Sequence, residues 1–399
     1  MKLHRHLILI AILFITLTGP VRSQEAKWNE LNVKLKVLFT QGQYAEALKL
    51  AREAVQVAES TFGPLHFHMA TALNNLAEIY RAQGQYLDAE PFYTRALAIR
   101  EYALGPEHPA MAVSLNNLAE LYRVQGKYGQ AEPLYKRALA IREKTLSPDH
   151  FDLAAPLNNL AELYRTLGRY IEAEPLYKRA LDIREKTLAA DHPDLAASLN
   201  NLAELYKALG RQAEAEPLYR RALAIKEKTL GPNHSGVATS LNNLAELYLS
   251  QGHDLKAEPL LKRALIIYEK MLGSNHPHTA TVLNNLALVY HSQAKYSEAE
   301  ALFKRALSIK EKTFGPDHPE VANSLNNLAF LYHSRGDYAQ AEPLYLRALR
   351  IGEKAFGPEH IRLVDTLENL ADLYAKTAKE TEAQELAERV RRIRSPKAP

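Results

Sequence analysis

Eight histidines, His66, His108, His150, His192, His234, His276, His318 and His360, stand 42 residues apart, several of them beside Asp or Glu. Imidazole next to carboxylate is the material of a metal site or of acid–base catalysis. The spacing argues against both. Packed helices lie about 8–10 Å apart, so equivalent side chains on successive units cannot share an ion whose nitrogen ligands sit at about 2.0–2.1 Å. One imidazole and one carboxylate per unit are too few alone. A hydrogen bond in a loop or at a helix start is the expected role. No nucleophile elbow, zincin motif, Walker loop or dinucleotide-binding glycine pattern occurs. The acids and bases recur with the period, whereas an active site is a single constellation. No catalytic residue, metal or other cofactor is expected, and the chain is expected not to be an enzyme.

Amide chemistry is more promising. Asn-Asn recurs at Asn74-Asn75, Asn116-Asn117, Asn158-Asn159, Asn200-Asn201, Asn242-Asn243, Asn284-Asn285 and Asn326-Asn327, again every 42 residues, with degenerate copies at Asn32-Val33 and Glu368-Asn369. Each amide offers donors and acceptors that match an extended peptide backbone. The same groups could instead bond a neighbouring repeat and fix the stacking; one structural and one available Asn per pair is the expected compromise.

The elements that carry these residues follow from periodicity. In 112–125, Leu115, Leu118, Ala119 and Tyr122 fall at i, i+3, i+4 and i+7, one stripe of a helix. Gly126 supplies a stop that tolerates positive φ. A second helix from about Tyr128 turns Ala131, Leu134, Tyr135, Ala138, Leu139 and Ile141 inward. Gly105-Pro106-Glu107-His108-Pro109 closes the preceding unit, its last proline suited to a first helical turn. Pro91, Pro133, Pro175, Pro217, Pro259 and Pro343 lie early in second helices, where a slight bend is expected. Both ends read as polar caps.

Residues 1–23 hold Lys2, Arg5 and Arg22 with no acid, and Leu7 to Thr18 is an apolar run followed by Gly19-Pro20. That is the pattern of a secretory signal cleaved before Gln24, which predicts export to the periplasm or outside the cell. An uncleaved anchor is the alternative. The run is shorter than the roughly 20 residues of a membrane span, so no membrane association is expected after cleavage. Cysteine is absent, which leaves stability to packing alone. The formal charge of +4 comes from the ends; Gln24 to Glu388 carries 42 basic against 46 acidic residues. Such a body has no broad field for a polyanion, and nucleic acid is not an expected partner. Arg389, Arg391, Arg392 and Arg394 fit the negative end of a helix dipole. Asn233-His234-Ser235 has the form of a glycosylation sequon.

The order Leu-x-x-Leu-Ala-x-x-Tyr, Gly, Tyr, Ala, Tyr, Ala resembles the tetratricopeptide repeat, with leucine in place of the usual tryptophan. A period of 42 instead of about 34 and the Gly-Pro-x-His-Pro loop resemble the kinesin-light-chain type. The chain departs from kinesin light chain in its secretion signal and in having no heptad coiled coil ahead of the array, so a motor-cargo role is not carried over. The resemblance implies an all-α, right-handed solenoid of about nine helix-turn-helix repeats: 28–69, 70–111, 112–153, 154–195, 196–237, 238–279, 280–321, 322–363 and 364–395, with 396–399 a short tail.

It also implies that the first helix of each hairpin lines a concave groove. Matched residue by residue, Asn75, Asn117, Asn159, Asn201, Asn243, Asn285, Asn327 and Asn369 form a column able to hold a peptide main chain. Beside it lie Glu78/Arg81, Glu120/Arg123, Glu162/Arg165 and Glu204/Lys207, pairs that as solvated partners contribute only about 0.2–0.5 kcal/mol each. Glu246/Leu249, Leu288/His291 and Phe330/His333 break the pattern. Burying one such apolar side chain is worth roughly 1.5–3 kcal/mol, so Leu249, Leu288 and Phe330 are expected to anchor a partner, unless they pack on adjacent hairpins. The expected function is a non-catalytic scaffold that binds an extended peptide or a partner helix. The alternative is a structural protein that organises envelope or secreted complexes through its outer face or ends.

Overall fold

The computed structural model describes residues 23–395. The segment read as a secretory signal, through Arg22, and the four-residue tail lie outside the described residues. Among those described there are eighteen α-helices and no strand. They form two compact units that divide at Ala189. The first holds α1 (23–40), α2 (Tyr44–Phe62), α3 (Phe67–Ala82), α4 (Tyr86–Leu104), α5 (Pro109–Val124), α6 (Tyr128–Thr145), α7 (Ala154–Thr166) and α8 (Tyr170–Thr187). The second holds α9 (Pro193–Ala208), α10 (Gln212–Leu230), α11 (Ser235–Ser250), α12 (Asp254–Met271), α13 (Pro277–Ser292), α14 (Tyr296–Phe314), α15 (Pro319–Ser334), α16 (Tyr338–Phe356), α17 (Val364–Lys376) and α18 (Glu380–Arg394). From α3 onward each odd helix pairs with the even helix that follows it, and from α2 onward each even helix packs on the next odd one inside its unit. The core is therefore a file of small interfaces, as in a solenoid.

Sequence explains the pairing. Ala119, Ala131 and Ala138 are fully buried, and their small side chains let the two backbones approach. Large residues fill what remains: Tyr93, Tyr135 and Tyr177 in the first unit, Tyr219, Phe303 and Tyr345 in the second, all sealed from solvent. Leu134, expected to face inward, is half-buried. Between the helices of a hairpin the chain reverses through a left-handed residue. Gly126, at φ 75°, lets Lys127 N–H reach the Tyr122 carbonyl at 2.8 Å, which closes the last turn of α5. The internal prolines are tolerated because each is the sixth residue of its helix. The carbonyl that loses its partner then belongs to the exposed first turn, as at Leu87.

The periodic histidines start the odd helices. Nδ1 of His66, His108, His192, His234, His276 and His318 accepts the N–H two residues on, at 3.0–3.2 Å. His150 and His360 do the same at the 3-10 turns Phe151–Leu153 and Ile361–Leu363, which lead into α7 and α17. Each satisfies one of the donors that a helix start leaves unbonded.

Candidate functional site: the wall of odd helices

Odd helices also touch across repeats: α3 with α5 and α5 with α7 in the first unit, and α11, α13, α15 and α17 in succession in the second. Even helices of successive hairpins show no comparable backbone approach among the described residues and meet instead through long side chains, as in the Arg137–Glu101 and Arg305–Glu269 ion pairs at 2.6 and 2.7 Å. The odd helices are thus the closely stacked side of each unit, and the second Asn of every pair lies on it.

Those amides bond each other. The Nδ2 of Asn75 donates to Oδ1 of Asn32 at 2.9 Å, Asn117 to Asn74 at 3.2 Å and Asn159 to Asn116 at 2.9 Å. In the second unit Asn243 donates to Asn200 and Asn285 to Asn242, each at 2.9 Å. The second Asn of one repeat thus reaches the first Asn of the repeat before it, so both members of a pair serve the stack. Asn201 occupies the equivalent place on α9. Beyond Asn285 the ladder lapses. Asn327 and Asn369 make no side-chain hydrogen bond among the described residues, while Oδ1 of Asn284 and of Asn326 is buried with no donor.

The charged pairs form, each with a third member that sequence reasoning missed. Arg123 grips Glu120 through Nε at 2.8 Å and Nη2 at 2.7 Å, and the Tyr135 hydroxyl of α6 donates to the same carboxylate at 2.7 Å. Arg165, Glu162 and Tyr177 repeat this with 3.0, 2.7 and 2.7 Å. Arg81, Glu78 and Tyr93 form the same triad. Glu204 takes Lys207 and Tyr219, and Lys207 also reaches Glu246 at 3.1 Å. Burial by itself would raise the Glu120 and Glu162 carboxyls, but the arginine and tyrosine bonds outweigh it and hold both below the usual range. The missed signal was the tyrosine fifteen residues after each Glu, which periodicity alone assigns to the core.

From the sixth repeat the triad comes apart. Leu261 and Phe303 replace the tyrosine, while Leu288 and Phe330 replace the glutamate. Leu249 and Leu288 are half-buried, Leu288 against the core of α13–α18. Phe330 is 38% exposed, its ring 5.0 Å from that of His291. Tyr345 keeps the tyrosine position opposite Phe330, but its sealed hydroxyl has no partner. His333 is buried in the arginine position, 3.3 Å from the Asp372 carboxylate and 3.5 Å from Lys376 Nζ. Burial lowers its pKa, with Lys376 adding to the effect and Asp372 opposing it; burial alone lowers that of His291. This stretch of wall carries rings at Phe330, His291 and His333 where earlier repeats carry Glu–Arg pairs, and three of its buried polar atoms lack partners. In the first unit, Trp28, Leu35 and Phe39 with Asn32, Asn75 and Glu78 line a cavity of about 380 Å³ between α1 and α3.

Sequence models of the tetratricopeptide repeat match residues 36–101, 68–144, 116–186, 152–228, 214–270, 236–312, 278–351 and 320–395. The chain belongs to the tetratricopeptide repeat family. No curated protein sequence matches it. Among solved structures it is similar to a kinesin-light-chain-type protein of Podosopora anserina with nearly identical TPR-like repeats, at 33% identity over 52% of this chain and 99% of that one, with a TM-score of 0.46. A Rap protein in complex with Competence and Sporulation Factor shares the fold at 17% identity, over 92% and 98% of the two chains, with a TM-score of 0.60. The quorum sensor NprR from B. thuringiensis does so at 15% identity, over 87% and 94%, with a TM-score of 0.63. The likeness to the Rap protein and to NprR is one of helical-repeat fold.

Proposed function

We propose that this tetratricopeptide array is a non-catalytic interaction scaffold whose odd-helix wall holds an extended peptide or a partner's helix. The observation that carries the reading is the coincidence, at α13–α17, of an exposed Phe330 with three buried polar atoms that lack partners: Asn284 Oδ1, Asn326 Oδ1 and the Tyr345 hydroxyl. Buried polar atoms are satisfied as a rule; Trp28 Nε1, Thr61 Oγ1 and Gln125 Oε1 also lack partners, but at α13–α17 three such atoms gather near an exposed aromatic ring, which suits the stretch to a guest. The Rap protein of similar fold, in complex with Competence and Sporulation Factor, supports a protein or peptide partner. The intact ladder of Asn75, Asn117, Asn159, Asn243 and Asn285 serves the stack and offers its remaining lone pairs to a main chain. The triads around Glu78, Glu120 and Glu162 set a balanced charge beside it. The N-terminal segment supports export, so the partner is sought in the periplasm or medium.

A second reading, assembly through the outer face, is favoured by Leu87 and Ile171, which stand 81% and 89% exposed at the starts of α4 and α8. A photo-crosslinking residue at position 330 or at position 171 separates the two. Capture of one defined partner from 330 and not from 171, competed by its synthetic peptide, supports the wall. Capture from 171 alone supports assembly and removes the primary reading.

A further inference from the structure

A column on the even helices points to a second site, independent of the wall around Phe330. Arg100, Arg142, Arg184, Lys226, Tyr268 and Lys310 recur at 42 residues, where an even helix meets the odd helices of its own and the next hairpin. Arg100 displays the cradle. It is 8% exposed; Nη1 donates to Ser114 Oγ at 2.6 Å and to the Ala110 carbonyl at 3.4 Å, and Nη2 to Thr71 Oγ1 at 3.3 Å. Even the neutral Tyr268 bonds the equivalent of Thr71, its hydroxyl 2.8 Å from Thr239 Oγ1. At Arg142 and Lys310 a carboxylate from the next hairpin joins in, Asp152 at 2.8 Å and Glu320 at 3.0 Å.

The next member of the column is Gly352, and there the cradle stands without its cation. A cavity of about 390 Å³ opens beside it, lined by Asn323 and Thr366, the counterparts of Thr71 and Ser114, with Glu320 and Asp365. Glu320 is already engaged by Lys310. The side chains of Asn323, Thr366 and Asp365 make no hydrogen bond or ion pair among the described residues. Arg362, which replaces the acid of other repeats, also reaches the cavity, and its guanidinium lies over the Phe356 ring at 5.0 Å.

We propose that this cavity receives the guanidinium of an arginine side chain from a partner protein, in the place where other repeats insert their own cation. Oxygen acceptors remain at the two positions that hold Arg100, Asp365 adds an unshared carboxylate, and the planar fork of a guanidinium suits several acceptors at once. Arg362 gives a partner carboxylate a competing claim, and the test distinguishes the two.

The full chain is titrated with N-acetyl-arginine amide, with the lysine and glutamate analogues alongside, and read by amide NMR. The expected result is saturable shifts confined to Gly352, Asn323, Asp365 and Thr366, strongest for arginine, with affinity reduced roughly tenfold in D365N, which removes one charge-assisted contact. The G352R variant supplies the group internally. Its Cβ meets only the flexible end of Leu363, at 2.5 Å, and the folded variant is expected not to respond to arginine. If G352R does not fold, D365N at the exposed rim decides. Absence of saturable shifts, equal affinity in D365N, or preference for the glutamate analogue that R362Q abolishes overturns the proposal.

Discussion

Single residues that leave their column are the most informative in this chain. Ala294 and Ala378 occupy the hairpin position held elsewhere by glycines such as Gly126 and Gly336, and both adopt φ 58°. A left-handed alanine costs about 1–2 kcal/mol relative to an unstrained backbone, partly offset by the entropy glycine would lose on folding. Ala294→Gly and Ala378→Gly are each expected to stabilise the chain by about 0.5–1 kcal/mol, measured by urea unfolding. Gly126→Ala should destabilise it by a similar amount. Phe330 departs in the opposite sense, removing the acceptor that Tyr345 would use. Phe330→Glu re-creates the fifteen-residue spacing by which Glu120 accepts from Tyr135. It should raise stability by about 1 kcal/mol, since a buried hydroxyl without a partner costs about 1–3 kcal/mol. The same change should abolish partner capture at the wall. Lower stability in F330E would show that the hydroxyl gains nothing from a carboxylate there.

At the scale of the helix, the histidine caps make a separate test. His108→Ala removes the acceptor for the Ala110 N–H and is expected to cost about 0.5–2 kcal/mol, while His108→Asn, whose side chain can also cap, should recover most of it. Thermal melts of the two variants check the ordering; equal loss in both would show that His108 acts by packing. Helices and loops were legible because a 42-residue period repeats one apolar stripe, one hairpin glycine and one histidine, each with a local physical reason. The candidate site was only half legible. The i, i+3 pairs are local and were readable, whereas the Tyr135 hydroxyl reaches Glu120 from another helix. The cross-repeat bond between Asn117 and Asn74 depends on how hairpins stack, which spacing does not specify. The vacancy beside Gly352 was hidden for the same reason: it is visible only against the three-dimensional cradle of Arg100.

Over the whole molecule, neighbour-only coupling lets one unit lose stability before the other. Among the described residues four histidines have lowered pKa values, His68 in the first unit and His276, His291 and His333 in the second. Burial is the leading cause for each, helped by His66 at His68, by His278 at His276 and by Lys376 at His333. A histidine harder to protonate when folded leaves the unfolded chain binding more protons, so stability rises with pH across the shift. That contribution is complete above about pH 6.5, the ordinary histidine value, and is lost as the pH falls from there towards the folded pKa. With three of the four groups, the second unit should yield first on mild acidification. Hydrogen exchange followed from pH 7.5 to 5.5, corrected for intrinsic rates, is expected to show protection falling across Pro277–Arg394 while Phe67–Thr187 holds. His333→Gln, which cannot take up a proton, should flatten the response of α15 and α17. Uniform loss across both units, or an unchanged slope in H333Q, would mean that the buried imidazoles do not govern acid stability and that the carboxylates around Glu120 and Glu162 set it instead.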